Sequence, residues 1–175
     1  MSPYTFIKRG RRKPIFVAGE HTVSLALGRE ELKEMVPHRE PFLLVDGIDA
    51  FDPEQQAVVG HRTIDPDDPV LGGHFPGDPV YPGVLLLETM AQLCISLQTL
   101  MARHGDEQAA GAAPGVRLLK VHHALFQDAA LPGDRLDVAA KMIEDNGYTA
   151  TMVGQVLRDG AILTVAVLEA YLIDG

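Results

Sequence analysis

Apolar residues run almost unbroken from Val84 to Arg103, relieved inside the run by Glu88, Gln92, Gln98 and a few small polar side chains. The pattern predicts a helix apolar on most sides, which belongs inside a protein core. Twenty residues make about 30 Å of helix, enough to run the length of a small sheet. A lone lipid-facing span would leave Glu88, Gln92 and Gln98 unsatisfied, so burial in protein is the expected state and no membrane association is expected. On either side the pattern changes to strand-length runs rich in β-formers. Phe42 to Phe51 and Gln56 to Thr63 come before the helix, separated by the turn pair Asp52-Pro53. Val116 to Phe126, Arg135 to Glu144, Tyr148 to Arg158 and Ala161 to Leu172 follow it. Asp145-Asn146-Gly147 and Asp159-Gly160 divide the last three, and Asn-Gly and Asp-Gly favour the positive φ angles of tight hairpins. Two strands, a buried helix and four more strands make an α+β chain rather than the alternating pattern of a doubly wound sheet.

The remaining segments are less regular. Residues 1–28 read as an N-terminal extension with one further strand around Thr22 to Leu27, ended by Gly28; residues 29–175 read as a single domain. Arg29 to Val36 is expected to be a short helix stopped by Pro37, because proline disfavours helical geometry in the residue before it. Ile64 to Pro82 is crowded with proline, aspartate and glycine and is expected to be a loop wrapping a site. Gly105 to Gly115, rich in Ala and Gly, is expected to be a mobile connection.

With 175 residues the chain buries a sizeable core without metals or disulfides. Its single cysteine, Cys94, lies between Leu93 and Ile95 and reads as a buried thiol in a reducing compartment. No apolar run follows the basic residues at the N-terminus, so a cytoplasmic location is inferred. The formal charge of −9 argues against nucleic-acid binding, yet Lys8, Arg9, Arg11, Arg12 and Lys13 place five positive charges and no acid in the first thirteen residues, leaving −14 on the remainder. This cluster reads first as a solvated, partly disordered tail, and second as a patch able to receive an acidic protein.

Candidate chemistry sits between Gly73 and Gln92. His74 lies in a Gly/Pro-rich loop, and Glu88 lies one turn into the apolar helix. Histidine takes a proton near neutral pH and a carboxyl group in apolar surroundings can hold one, so the two suit base and acid of one elimination. His38, with Arg39, is expected to brace its loop. His122 and His123 are adjacent and expected on opposite faces of a strand, and no cluster has zinc-ligand spacing, so no metal is expected.

Gly73-His74-Phe75-Pro76-Gly77, Pro82-Gly83 and Glu88 resemble the signature of the 3-hydroxyacyl-acyl carrier protein dehydratases, which have the hot-dog fold, an antiparallel sheet wrapped around a long central helix. Val36 to Asp46 and Leu131-Pro132-Gly133-Asp134 are similar to further recurrent stretches, so the resemblance covers roughly residues 29 to 173. It implies His74 as the base at C2 of a 3-hydroxyacyl thioester and Glu88 as the acid at the departing hydroxyl. Gly83 would bring the substrate carbonyl to the helix N-terminus, and Phe75, Pro82, Val84 and Gln92 would line the substrate path. It further implies an acyl carrier protein as the bearer of the substrate, no dissociable cofactor, and a homodimer, or a trimer of such dimers, whose sites combine the base of one subunit with the acid of the other. The sequence departs from the pattern in three places: Tyr81 stands where methionine is common, Glu40 where an aromatic is common, and Gln127-Asp128 where a basic pair follows the phenylalanine. That last change removes positive charge at the expected carrier entrance and leaves a specialised carrier or coenzyme A as alternatives. A hot-dog thioesterase, or a silent partner subunit in a heterodimer, are the competing functions.

Overall fold

A computed structural model describes residues 2–105 and 115–173 of the chain. The elements run α1 (Pro3–Gly10), β1 (Val23–Leu27), α2 (Arg29–Leu32), β2 (Gly47–Asp52), β3 (Ala57–Thr63), α3 (Pro69–Gly73), α4 (Gly83–Gly105), β4 (Gly115–Phe126), β5 (Arg135–Asp145), β6 (Thr149–Arg158) and β7 (Ala161–Ile173). Seven strands form one antiparallel sheet in the order β1-β2-β3-β5-β6-β7-β4. Its concave face wraps α4, the helix marked by the apolar run, and Leu86, Met90, Leu93 and Leu97 of α4 pack with Val138, Ala140, Met152, Val156 and Ala166 of the sheet in the main core. By length and composition α4 is apolar enough to cross a membrane, but here the strands cover it. The long connection expected between Gly105 and Gly115 falls, for residues 106–114, outside the described residues.

Both expected hairpins are present. Asp159 and Gly160 take φ of 50° and 79°, and Gly147 takes 82° in the turn between β5 and β6. Two mirror-image central residues match the right-handed twist of the strands they join. Asn146 secures the other turn, its Oδ1 accepting the N–H groups of Tyr148 and Thr149.

Three expectations are corrected. The run from Phe42 to Val45 is not strand, and β2 begins only at Gly47. Leu43, Leu44 and Val45 are buried, and their segment lies against α4 rather than in the sheet. Its backbone finds side-chain partners instead: Leu44 donates to Gln92 Oε1 at 2.8 Å and Gln92 Nε2 donates to Phe42 O at 2.8 Å. Second, α2 is a single turn, ended four residues earlier than the Pro37 signal placed it. Third, the basic N-terminal segment is not a solvated tail. Ser2 caps α1, and Ile7 enters a second apolar cluster with Val153, Val165 and Val167 on the convex face of the sheet. An eight-residue helix is marginal alone, so docking holds it. Gln155, fully buried, clamps the chain beyond it by donating to Gly10 O and Lys13 O and accepting from Ile15 N.

His122 and His123 also depart from expectation. The pairing of β4 with β7 slips between Val121 and His123, a bulge that turns neighbouring side chains to one face. His122 Nε2 meets Glu169 at 2.7 Å while the His123 ring lies edge-on to Tyr4 of α1. Glu169 alternates with Val165 and Val167, so both histidines sit on the convex face.

Candidate active site

His74 ends α3 and opens a loop that closes on itself. Phe75 and Asp78 exchange both N–H to carbonyl bonds, at 3.2 and 3.0 Å, and Val80 N–H donates to His74 O at 2.8 Å. Gly77 makes this tight return possible with φ of 80°, a conformation side chains disfavour. In the same loop His74 Nδ1 lies 2.7 Å from Val80 O. A carbonyl only accepts, so Nδ1 carries a proton, and in the neutral ring the lone pair is on Nε2. Phe75 stacks on the imidazole with ring centroids 4.1 Å apart. The loop thus holds a histidine in the tautomer and orientation of a base.

Gly83 is the first residue of α4. Leu85 and Leu86 donate to Pro82 O, while the N–H groups of Gly83 and Val84 point out of the helix end without intrahelical acceptors. An added Cβ at Gly83 would fall 2.8 Å from the Phe126 ring, so glycine is required here for packing as well as for approach by a ligand. His74, Val80, Gly83, Val84, Phe126 and Gln127 line one cavity of about 520 Å³, within the range of small-molecule sites. Val84 is largely exposed on its wall, whereas Pro82, expected to line the substrate path, is buried and not among the lining residues.

Glu88 faces elsewhere. Its side chain is one-quarter exposed, 3.2 Å from His38 Nε2 and 2.9 Å from Gln92 Nε2. Together with His38 it opens on a second, narrower cavity walled by Cys94, Ile95, Leu118, Met152 and Leu168. His38 Nδ1 and Gln98 Oε1 are buried without a hydrogen-bond partner among the described residues. Among the described residues, none lines both cavities. Within one chain, then, the expected base and the expected acid are not brought together.

Two further site expectations change here. Gln92, expected to contact substrate, is fully buried and its amide is taken up by Leu44, Phe42 and Glu88. It positions Glu88 and ties the Phe42–Val45 segment to the helix. Replacing it with Leu leaves the buried N–H of Leu44 unpaired, at about 1–3 kcal/mol, and frees the partly buried carbonyl of Phe42, so urea unfolding of Gln92→Leu is expected to show a loss of about 2 kcal/mol. His38 is not a loop brace: Arg39 makes that contact, to Val36 O and His38 O, while His38 itself touches Glu88. Its place in the Val36-Pro37-His38 stretch was the available signal, but nothing in the chain order pairs residue 38 with residue 88.

Cys94 needs no role in chemistry. Burial pushes its thiol up to about 12, and the thiolate is the reactive form. Iodoacetamide at pH 8 is expected to leave the folded protein unlabelled and to modify it once urea unfolds it, followed by intact mass. The unfolded thiol ionises near about 8.5 and the folded one only near about 12. Its contribution to stability is therefore complete below the lower value and is lost as pH rises between the two.

A family model described as a FabA-like domain matches residues 36–166. The chain belongs to this FabA-like family. Among its relatives, the 3-hydroxyacyl-[acyl-carrier-protein] dehydratase FabZ of Sulfurimonas denitrificans is 34% identical over 145 residues, covering 82% of this chain and 95% of that protein. The protein of the same name from Campylobacter jejuni is 35% identical over 144 residues, covering 82% and 96%. Solved structures share the fold. A chain of the dehydratase heterocomplex ApeI:P from Xenorhabdus doucetiae superposes with a TM-score of 0.65 at 22% identity, covering 82% of this chain and 91% of that one. A hypothetical thioesterase with coenzyme A from Streptococcus pneumoniae gives 0.52 at 12%, covering 68% and 80%. The hot-dog architecture expected from the FabA-like motifs is the architecture found.

Proposed function

We propose that this chain is a 3-hydroxyacyl-[acyl-carrier-protein] dehydratase, converting a carrier-bound 3-hydroxyacyl thioester to the trans-2-enoyl thioester in fatty acid or related biosynthesis. The observation that carries the reading is the His74 loop, in which Val80 O fixes the proton on Nδ1 and leaves Nε2 basic, in a chain one-third identical to FabZ dehydratases over most of its length. His74 Nε2 removes the proton from C2. As the C2–C3 double bond forms, the C3–O bond breaks and the hydroxyl departs as water with a proton from Glu88. Negative charge gathering on the thioester oxygen is held by the N–H groups at the start of α4, where Gly83 admits the carbonyl. His38 holds the Glu88 carboxyl. Phe75 and Val84 border the path of the thioester; the acyl chain runs into the apolar cavity beside Cys94 and Met152.

The same reading makes the site a product of two subunits, in at least a homodimer. Two features support it: His74 and Glu88 line separate cavities, and β4 ends the sheet as a twelve-residue edge strand carrying exposed Leu118, Leu119 and Val121. A long apolar edge invites pairing with another strand. A cytoplasmic location accords with the reduced, buried Cys94.

Mass spectrometry of purified protein with 3-hydroxybutyryl thioesters, on carrier protein and on coenzyme A, tests the reading. Loss of one water with the thioester intact is the expected result. Release of the free thiol with no enoyl product would overturn it in favour of a thioesterase.

A further inference from the structure

The five cations near the N-terminus exceed what their helix needs. Basic residues in a last turn complement the helix dipole, but of the five only Lys8 and Arg9 are there. Arg11, Arg12 and Lys13 follow on a stretch whose backbone Gln155 clamps. All five side chains are exposed, and none enters an ion pair among the described residues. Their placement follows from the docking of α1. The helix runs along β4, with Tyr4 against His123 and the turn after it against Gln127, whose Nε2 donates to Arg11 O at 3.1 Å. Gln127 and Asp128 line the His74 cavity. The basic turn therefore flanks the mouth through which a thioester reaches His74. Asp128 at that mouth is balanced by Arg158, 3.1 Å away, which also holds Asp134 at 2.7 Å.

We propose that Lys8, Arg9, Arg11, Arg12 and Lys13 form the docking surface for an acidic carrier protein delivering its thioester to the His74 cavity. The proposal rests on the dehydratase reading above and names the surface that reading lacks, since Gln127-Asp128 provides no cations at the entrance. The net −14 outside this segment disfavours an acidic partner on the rest of the surface as a whole. Attraction confined to one patch fixes the approach as well as hastening it, because exposed charges act over about 8 Å at physiological salt.

The test uses the full chain carrying Arg9→Glu, Arg12→Glu and Lys13→Glu together, beside a charge-keeping control with Arg9→Lys and Arg12→Lys. For 3-hydroxybutyryl carrier protein at low salt, the triple variant is expected to show at least a tenfold higher KM, an unchanged kcat and a flattened salt dependence. The pantetheine thioester should be handled as by the parent, and the control should match the parent throughout. Calorimetric binding of holo-carrier protein should weaken in parallel, and this arm reads the surface even without turnover. An unchanged KM and affinity for the carrier would overturn the proposal, as would equal losses with both substrates, which assign the segment to folding. Loss of binding to phosphatidylglycerol vesicles with carrier kinetics intact would also overturn it, giving the patch to a membrane surface. If the parent fails to dehydrate even the pantetheine thioester, the dehydratase reading falls, and the binding arm still decides the docking surface.

Discussion

His74→Ala and Glu88→Gln are each expected to lower dehydration of a 3-hydroxyacyl thioester by at least about a hundredfold, mainly in kcat, because a positioned proton-transfer group contributes roughly 10²–10⁴ in rate. Neither change should unfold the protein. The loop at His74 keeps the paired bonds of Phe75 and Asp78 and the bond from Val80 N to His74 O. At position 88 the amide is nearly isosteric and still accepts from Gln92 Nε2, but has no acidic proton to give. Steady-state kinetics on carrier-bound substrate, with thermal unfolding as the control, checks both. Near-normal turnover in either variant removes that residue from the chemistry.

Mixing the two inactive variants is expected to restore activity. If each site takes His74 from one subunit and Glu88 from the other, a dimer holding one copy of each variant has one site with both groups intact and one with neither. Random exchange makes half of the dimers mixed, so recovery should approach about a quarter of parental activity under two-fold symmetry. Subunit exchange is followed separately by native mass spectrometry of a tagged copy. Exchange without recovery would mean that each site draws its base and acid from one chain. The separate cavities of His74 and Glu88 would then have to merge by a rearrangement within the subunit.

Patterning along the chain determined much of the fold. The unbroken apolar run had one place to go, inside, and it became α4. Asn146-Gly147 and Asp159-Gly160 determined their turns because positive φ at Gly147, Asp159 and Gly160, and the side-chain bonds of Asn146 to the next backbone N–H groups, need no distant partner. The loop around His74 was legible for the same reason. Glycine and proline between residues 64 and 82 leave room only for the five-residue α3 and favour loop around it, and the motifs carried there are the ones that resemble the family.

What only the tertiary structure decided depends on contacts between residues far apart in sequence. Phe42 to Val45 has the composition of a strand, yet burial against α4 and the amide of Gln92, forty-eight positions beyond Leu44, replaced the sheet as partner for its backbone. His38 met Glu88 fifty residues away, and a bulge in β4 turned His122 and His123 to the same face. The basic segment looked like a tail because its charge dominates its composition. Ile7 and the buried amide of Gln155 outweighed that by anchoring it across the sheet, beside the mouth of the His74 cavity. Periodicity and turn chemistry act within a few residues and are written in the order of the chain. Which polar group satisfies which, and where a charge comes to rest, is settled only when packing brings separate elements into contact.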